Sequence, residues 1–263
     1  MGVGKTSLAL EMTRELGRPV FRVDGDNRYS EQKLSGWFDP PSVIQRGYSA
    51  DTFMPGPLVD AMRKGGVLFI NELNRLPEGV QNVLLPAIDE RLIVVPRLGE
   101  VRAEKGFLVI ATQNPKEFVA TSHLSEAILD RFELITLDYQ TEEEETEIVV
   151  QHLKRTPPGR EDRRLAQASI KLVRLTRSHP RVRRGASVRA ALSVSEITGE
   201  LMVSGLSIEE AFFQAALLAL PTRIEFERDT ESEVTPRAEM EALLKEWTDS
   251  VWQELGSTDV KKK

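Results

Sequence analysis

Apolar residues recur along the chain in two rhythms, and each change of rhythm is marked by glycine, proline or a run of charge. Ser7 to Leu16 places Leu8, Met12 and Leu16 on one face and stops at Gly17, which predicts a helix. Arg18 to Asp24 reads as a strand, with Pro19 at its start and Gly25 after it. Val67-Leu68-Phe69-Ile70, following Gly65-Gly66, and Phe107 to Ala111 have the length of buried strands. Arg91 to Lys105 alternates as a hairpin with Gly99 at its turn, and Ile135 to Leu137 is expected to close the sheet. Leu34 to Pro57 has no clear period and reads as irregular.

Beyond residue 137 the helical rhythm takes over. Thr141 with Glu144 forms a capping box, so the acidic run Glu142 to Glu145 reads as a first helical turn rather than a cation site. Thr156-Pro157-Pro158-Gly159 marks a linker. Helices are expected from about Leu165 to Ser178, from near Ser187, and from Ser207, capped with Glu210, to just before Pro221. After a charged linker, Glu225 to Val234, Pro236 opens a last helix. Its Met240, Leu243, Leu244, Trp247, Val251 and Leu255 share a face, and Gly256 is its expected end. The pattern divides the chain into an α/β core over residues 1–137, a helical lid over 138–225, and a charged linker with an amphipathic helix over 226–263.

Composition narrows the chemistry. With 263 residues, 40% of them hydrophobic, the chain can bury a core without metal or disulfide staples. There is no cysteine, which excludes thiol nucleophiles, redox pairs and thiolate zinc sites. The histidines, His123, His152 and His179, are not at metal-ligand spacing. Lys and Arg number 35 against 41 Asp and Glu, a net charge of −6 that argues against wholesale electrostatic binding to nucleic acid. Lys171 to Arg189 nevertheless holds seven basic residues and no acidic one, so a local basic face stays open as a reading. The longest strongly apolar stretch, Ala215 to Leu220, is too short to span a bilayer, and no signal peptide opens the chain. A cytoplasmic protein with no membrane partner is expected.

The candidate chemistry begins at the first residues. Gly2-Val3-Gly4-Lys5-Thr6-Ser7 resembles the end of a phosphate-binding loop of the form G-x-x-x-x-G-K-[ST]. In such a loop backbone N–H groups surround phosphate oxygens, Lys5 reaches the β and γ phosphates, and Thr6 ligates Mg²⁺. ATP and Mg²⁺ are the cofactors implied. The motif's first glycine and the strand that feeds it would fall before Met1, so the chain is expected to be a fragment or to have a misassigned start. Such a chain should bind ATP weakly and aggregate. Asn71-Glu72 directly follows the Val67 run, as acidic residues do in a Walker B strand. Asn114 follows the Phe107 run, where a polar side chain can hold a water near a γ-phosphate.

Taken together these segments resemble the MoxR family of AAA+ ATPases over about residues 1 to 225. Asn71-Glu72-Leu73-Asn74-Arg75 with Gln81-Asn82-Val83-Leu84-Leu85 is similar to that family's Walker B segment and the helix after it. Ala111-Thr112-Gln113-Asn114-Pro115 matches its sensor 1 segment. The stretch Leu124 to Phe132 is similar to the one carrying its arginine finger, and Gly185-Ala186-Ser187-Val188-Arg189-Ala190 to its sensor 2 motif. The resemblance implies a P-loop AAA+ core whose parallel sheet lacks its first strand, followed by a helical lid. It also implies a homo-oligomer, a hexameric ring, with a protein client that can be a von Willebrand factor A domain. In that ring Lys5, Thr6, Glu72, Asn114 and Arg189 would act in cis, and Arg131 would reach a neighbour's γ-phosphate. An arginine supplied in trans is worth about 10³ to 10⁵ in rate in other NTPases. The plain alternatives are a pair with Asp130 for Arg131 and a surface cation for Arg189.

Two departures accompany the cut loop. Asn71, which with Thr6 would face the metal, stands where the family has Asp and brings no charge. Pro86 falls inside the helix after Walker B, at a cost of about 3 kcal/mol or a kink. The leading function is Mg-dependent ATP hydrolysis coupled to remodelling or activating a protein client. A nucleotide-binding scaffold with little turnover and a nucleic-acid-associated AAA+ ATPase are the alternatives. The aromatics Trp37, Phe38, Tyr48 and Phe53 read either as a client-facing loop or as a local cluster.

Overall fold

The computed structural model describes residues 2–114, 124–155, 162–227 and 235–260. Pro115, His123, the Thr156–Gly159 linker and most of the Glu225–Val234 segment lie outside the described residues. The chain forms two compact units, Val3–Leu137 and Asp138–Lys263.

The first unit runs α1 (Lys5–Glu15), β1 (Val20–Asp24), α2 (Glu31–Ser35), β2 (Gly36–Phe38), α3 (Pro40–Arg46), β3 (Phe53–Pro55), α4 (Pro57–Arg63) and β4 (Val67–Asn71). It continues with α5 (Glu78–Asp89), β5 (Leu92–Val95), β6 (Gly99–Arg102), β7 (Leu108–Ala111) and α6 (Glu126–Leu129). A three-stranded sheet has the order β1-β4-β7, with both pairings parallel. Val67 to Ile70 are fully buried, as a continuous apolar run in a central parallel strand must be. Asp24 is registered against Asn71, and Ile70 against Ala111, so the polar C-terminal ends of the strands align. The sheet therefore presents its chemistry along one end.

Several sequence expectations change here. Ile135 to Leu137 forms no strand, and Leu134 and Ile135 are each 73% exposed. β7 has no strand on its second edge among the described residues. Instead an apolar cavity of about 780 Å³ lies there, lined by Leu8, Met12, Leu108, Ile110, Leu134 and Ile135 among others. A strand needs an adjacent edge to bond, and the cavity separates residues 135–137 from β7. The same gap leaves Leu8 and Met12 exposed on the face of α1 that their spacing marks as apolar, and Leu16, just past the end of α1, is exposed as well. Leu34 to Pro57 is more ordered than its sequence suggests: β2 and β3 pair antiparallel, with α3 between them. The β5–β6 hairpin turns at Pro96–Leu98, with Gly99 opening β6 rather than forming the turn. α5 continues past Pro86, where Glu90 N–H still bonds the Pro86 carbonyl.

The second unit is α7 (Glu142–Arg155), α8 (Arg163–Ser178), β8 (Val182–Arg184), α9 (Val188–Val203), α10 (Ile208–Ala219), β9 (Glu225–Phe226) and α11 (Pro236–Val260). The Thr141–Glu144 capping box forms: Glu144 N–H donates to Thr141 Oγ1, and Thr141 N–H to Glu144 Oε2. One core holds Val149, Leu172, Val194, Phe212 and the apolar face of α11, namely Leu244, Trp247, Val251 and Leu255. α11 passes through Gly256 to Val260, because one interior glycine costs a helix only about 1 kcal/mol.

Candidate phosphate-binding and hydrolytic site

The site is built where α1 begins and where β1, β4 and β7 end. Gly4 precedes α1 with φ 83°, a left-handed conformation that suits a residue without a Cβ. It turns Gly2-Val3-Gly4 into the first turn of α1, whose free N–H groups and dipole favour an anion. Val3 is buried and Ser7 exposed on that turn. Lys5 Nζ donates to the Gln113 carbonyl at 2.6 Å, which puts the ammonium at the C-terminal end of β7.

Asn71 is the hub. Its Oδ1 accepts from Thr6 Oγ1 at 2.9 Å and from Thr112 Oγ1 at 3.0 Å. Its Nδ2 donates to Asp24 Oδ1 at 3.0 Å. Arg22, two residues earlier on β1, grips both oxygens of Asp24 and holds that carboxyl below its ordinary range. Thr112 Oγ1 also accepts from the Glu72 N–H at 3.1 Å, so one hydroxyl joins β4 to the segment after β7. Gly25 sits against this junction, where a Cβ would lie 2.1 Å from the Glu72 carbonyl oxygen. Only glycine fits there.

Glu72 itself is left-handed, at φ 58° and ψ 56°, and turns the chain sharply off β4. Its carboxylate pairs with Arg75 at 2.8 Å. Asn74 brackets the backbone of Asn114: its Nδ2 donates to the Asn114 carbonyl, and its Oδ1 accepts the Asn114 N–H. The structure thus brings Lys5, Thr6, Asn71, Glu72 and Asn114 to one end of one sheet.

Arg131 stands apart from that cluster. It pairs with Asp89 at 2.6 Å, not with Asp130, and donates to the Ala127 carbonyl. Arg189 lies exposed in the first turn of α9, in the second unit. Residues just before it are fastened to α8: Ala186 N–H donates to Thr176 Oγ1, and Arg177 Nε to the Ala186 carbonyl. Of the basic run, Lys171, Arg174, Arg177, Arg181 and Arg183 pair with Glu254, Glu145, Glu145, Glu239 and Glu227.

Asp24, Asn74, Arg75 and Thr112 have no assigned role in the sequence reading. Two polar strand ends, Asp24 and Asn71, were a usable signal only once β1 was known to lie beside β4. Hard oxygen donors, the Thr6 hydroxyl, the Asn71 carbonyl and the Asp24 carboxylate, gather here and suit Mg²⁺ held largely through water.

Comparison with known proteins agrees with this architecture. The AAA domain family (dynein-related subfamily) matches residues 1–132. The gas vesicle ATPase GvpN of Haloferax mediterranei is 30% identical over 168 residues, 58% of this chain and 48% of that protein. GvpN of Ancylobacter aquaticus is 28% identical over 253 residues, 85% of this chain and 65% of that protein. The chain therefore spans about half to two thirds of the length of these relatives. Among solved structures, the Thermotoga maritima RuvB Holliday junction branch migration motor superposes with a TM-score of 0.52 at 20% identity. That superposition covers 82% of this chain and 58% of the RuvB chain, and at such identity it shows a shared fold.

Proposed function

The chain belongs to the AAA domain family, dynein-related subfamily, and from that premise we propose that it works as a MoxR-like, Mg-dependent ATPase that remodels a protein client. The observation that carries this reading is the bond from Thr6 to Asn71, which ties the start of α1 to the polar end of β4 beside Glu72. The first unit would be the nucleotide-binding core, and the helices after residue 138 a lid with α11 in its core.

In this reading the N–H groups of Gly2, Val3 and Gly4 and the Lys5 ammonium bind the β and γ phosphates. Thr6 and Asn71 would hold Mg²⁺, which when bound neutralises phosphate charge. Water attacks the γ-phosphorus as the bond to the β–γ bridging oxygen breaks, and Glu72 takes the water's proton. Glu72 must first loosen from Arg75. Asn114, steadied by Asn74, orients the water. Arg131 would leave Asp89 to reach a neighbouring subunit's γ-phosphate, and Arg189 would act from the lid. A client-facing role for the β2–β3 finger is supported by Trp37 and Met54, which are cross-strand partners and each about half exposed. Phe38, Tyr48 and Phe53 form a local aromatic cluster beneath them.

A scaffold with little turnover is the second reading, favoured by the neutral Asn71 and the Glu72–Arg75 pair. The nucleic-acid reading is weakened because five of the seven basic residues are already paired within their own unit. Phosphate release measured alongside binding of a fluorescent ATP analogue decides between the first two readings, and salt-dependent DNA binding tests the third. Lys5→Ala should lose binding, and Glu72→Gln should bind but release no phosphate. Release at the parental rate by Glu72→Gln would overturn the hydrolytic assignment.

A further inference from the structure

A carboxamide offers an acceptor at one end and a donor at the other, in nearly the same shape. Asn71 uses both ends: its oxygen faces Thr6 and Thr112, and its NH₂ faces Asp24. Turned over, the side chain would aim N–H groups at Thr6 and at any cation held there. The two hydroxyls do not prevent this, since each can donate or accept. Asp24 does. An ionised carboxylate only accepts, so it bonds this amide through NH₂ alone. Register places Asp24 directly beside Asn71 at the ends of β1 and β4. Arg22 keeps the carboxylate in place, with bonds of 2.7 to 3.1 Å to its two oxygens.

We propose that Asp24 is the positioning residue of the cation end of the site, locking the Asn71 amide with its oxygen toward Thr6. The neutral side chain then does the accepting that a carboxylate would do at that position, and the negative charge stands one hydrogen bond away on β1. The proposal rests on the reading of Thr6 as a group that faces the Mg-nucleotide.

Charge at position 71 then works against the site. Asn71→Asp adds the carboxylate that a Walker B strand usually carries, yet it sets two carboxylates against each other across the strand pair and should weaken binding. Exchanging the two residues should restore it, because an amide at position 24 would donate to a carboxylate at position 71 whose oxygens both accept.

The test is binding of a fluorescent, non-hydrolysable ATP analogue in Mg²⁺ and in EDTA. Asp24→Ala should weaken binding about tenfold in Mg²⁺ while changing it less than about twofold in EDTA. Asn71→Asp alone should also weaken the Mg²⁺ value, and Asp24→Asn combined with Asn71→Asp should recover it to within about twofold of the parent. Melting curves monitor folding, and the exchanged pair keeps the test open if Asp24→Ala fails to fold. A merely structural role would lower binding equally in Mg²⁺ and EDTA, and that result overturns the proposal. So does an exchanged pair that folds yet binds no better than Asn71→Asp. Failure of the underlying reading looks different: Lys5→Ala and Thr6→Ala would leave binding and its Mg²⁺ dependence unchanged.

Discussion

Glu72 holds a backbone conformation that few side-chain-bearing residues adopt, at the one position where the proposed chemistry needs a carboxylate. The left-handed turn aims its N–H at Thr112 and its side chain away from the core. A residue with a Cβ is strained there by about 1 kcal/mol, and the Arg75 pair, being partly exposed, returns less than that. Glu72→Gly should therefore raise unfolding stability by about 0.5 to 1 kcal/mol while removing turnover. Urea denaturation with phosphate release checks both halves, and a destabilised glycine variant would mean the strain is not there. At this scale the sequence was informative where residues act through local geometry. Gly4-Lys5-Thr6 and Asn71-Glu72 are adjacent in the chain and fall where their spacing places them. Asp24 was hidden because its partner is 47 residues away, and nothing in β1 alone says which strand lies beside it.

Among the elements, α7 shows how much a helical pattern leaves out. Its four glutamates are equivalent in sequence as a first turn, yet Glu145 is completely buried. It accepts two bonds from Arg177 and one from Arg174, and Arg177 also packs on the Tyr139 ring. Arg177 then carries the Ala186 carbonyl, so this ion cluster sets where α9 begins and hence where Arg189 stands in the second unit. Removing one member strands buried charge. Glu145→Ala should destabilise the second unit by about 3 to 5 kcal/mol, and Glu145→Gln, which keeps hydrogen-bond acceptors, by less. Separate melting of the two units, followed by hydrogen exchange, reads this directly; loss confined to the first unit would contradict it. Helix positions were legible because period and caps are local. Which of four glutamates turns inward depends on α8 and on the loop before α9, which no window of sequence brings together.

Across the first unit the sheet ends at β7 on an apolar edge that no strand covers among the described residues. β7 is bonded to β4 only, and Leu8, Met12, Leu108, Leu134 and Ile135 face the gap beside it. An open, apolar parallel edge invites another strand, and its unpaired N–H and C=O groups reward pairing. The chain should therefore self-associate as concentration rises, and Leu108→Lys, which puts charge on a 40% exposed position of that edge, should reduce it. Light scattering across a dilution series measures this. The position of the gap also says which strand would fit. Lys5 reaches Gln113, just past the end of β7, so a strand leading into Gly2-Val3-Gly4 would run alongside β7 and parallel to it. Joining an apolar segment of about five residues and a short glycine-containing loop ahead of Met1 should fill the cavity, raise the melting temperature and tighten ATP binding together. Both effects come from one event: the added strand pairs β7 and buries the face of α1 that carries Lys5 and Thr6 at its start. An extended chain that melts no higher and binds ATP no more tightly would show that the edge of β7 is not where a strand belongs.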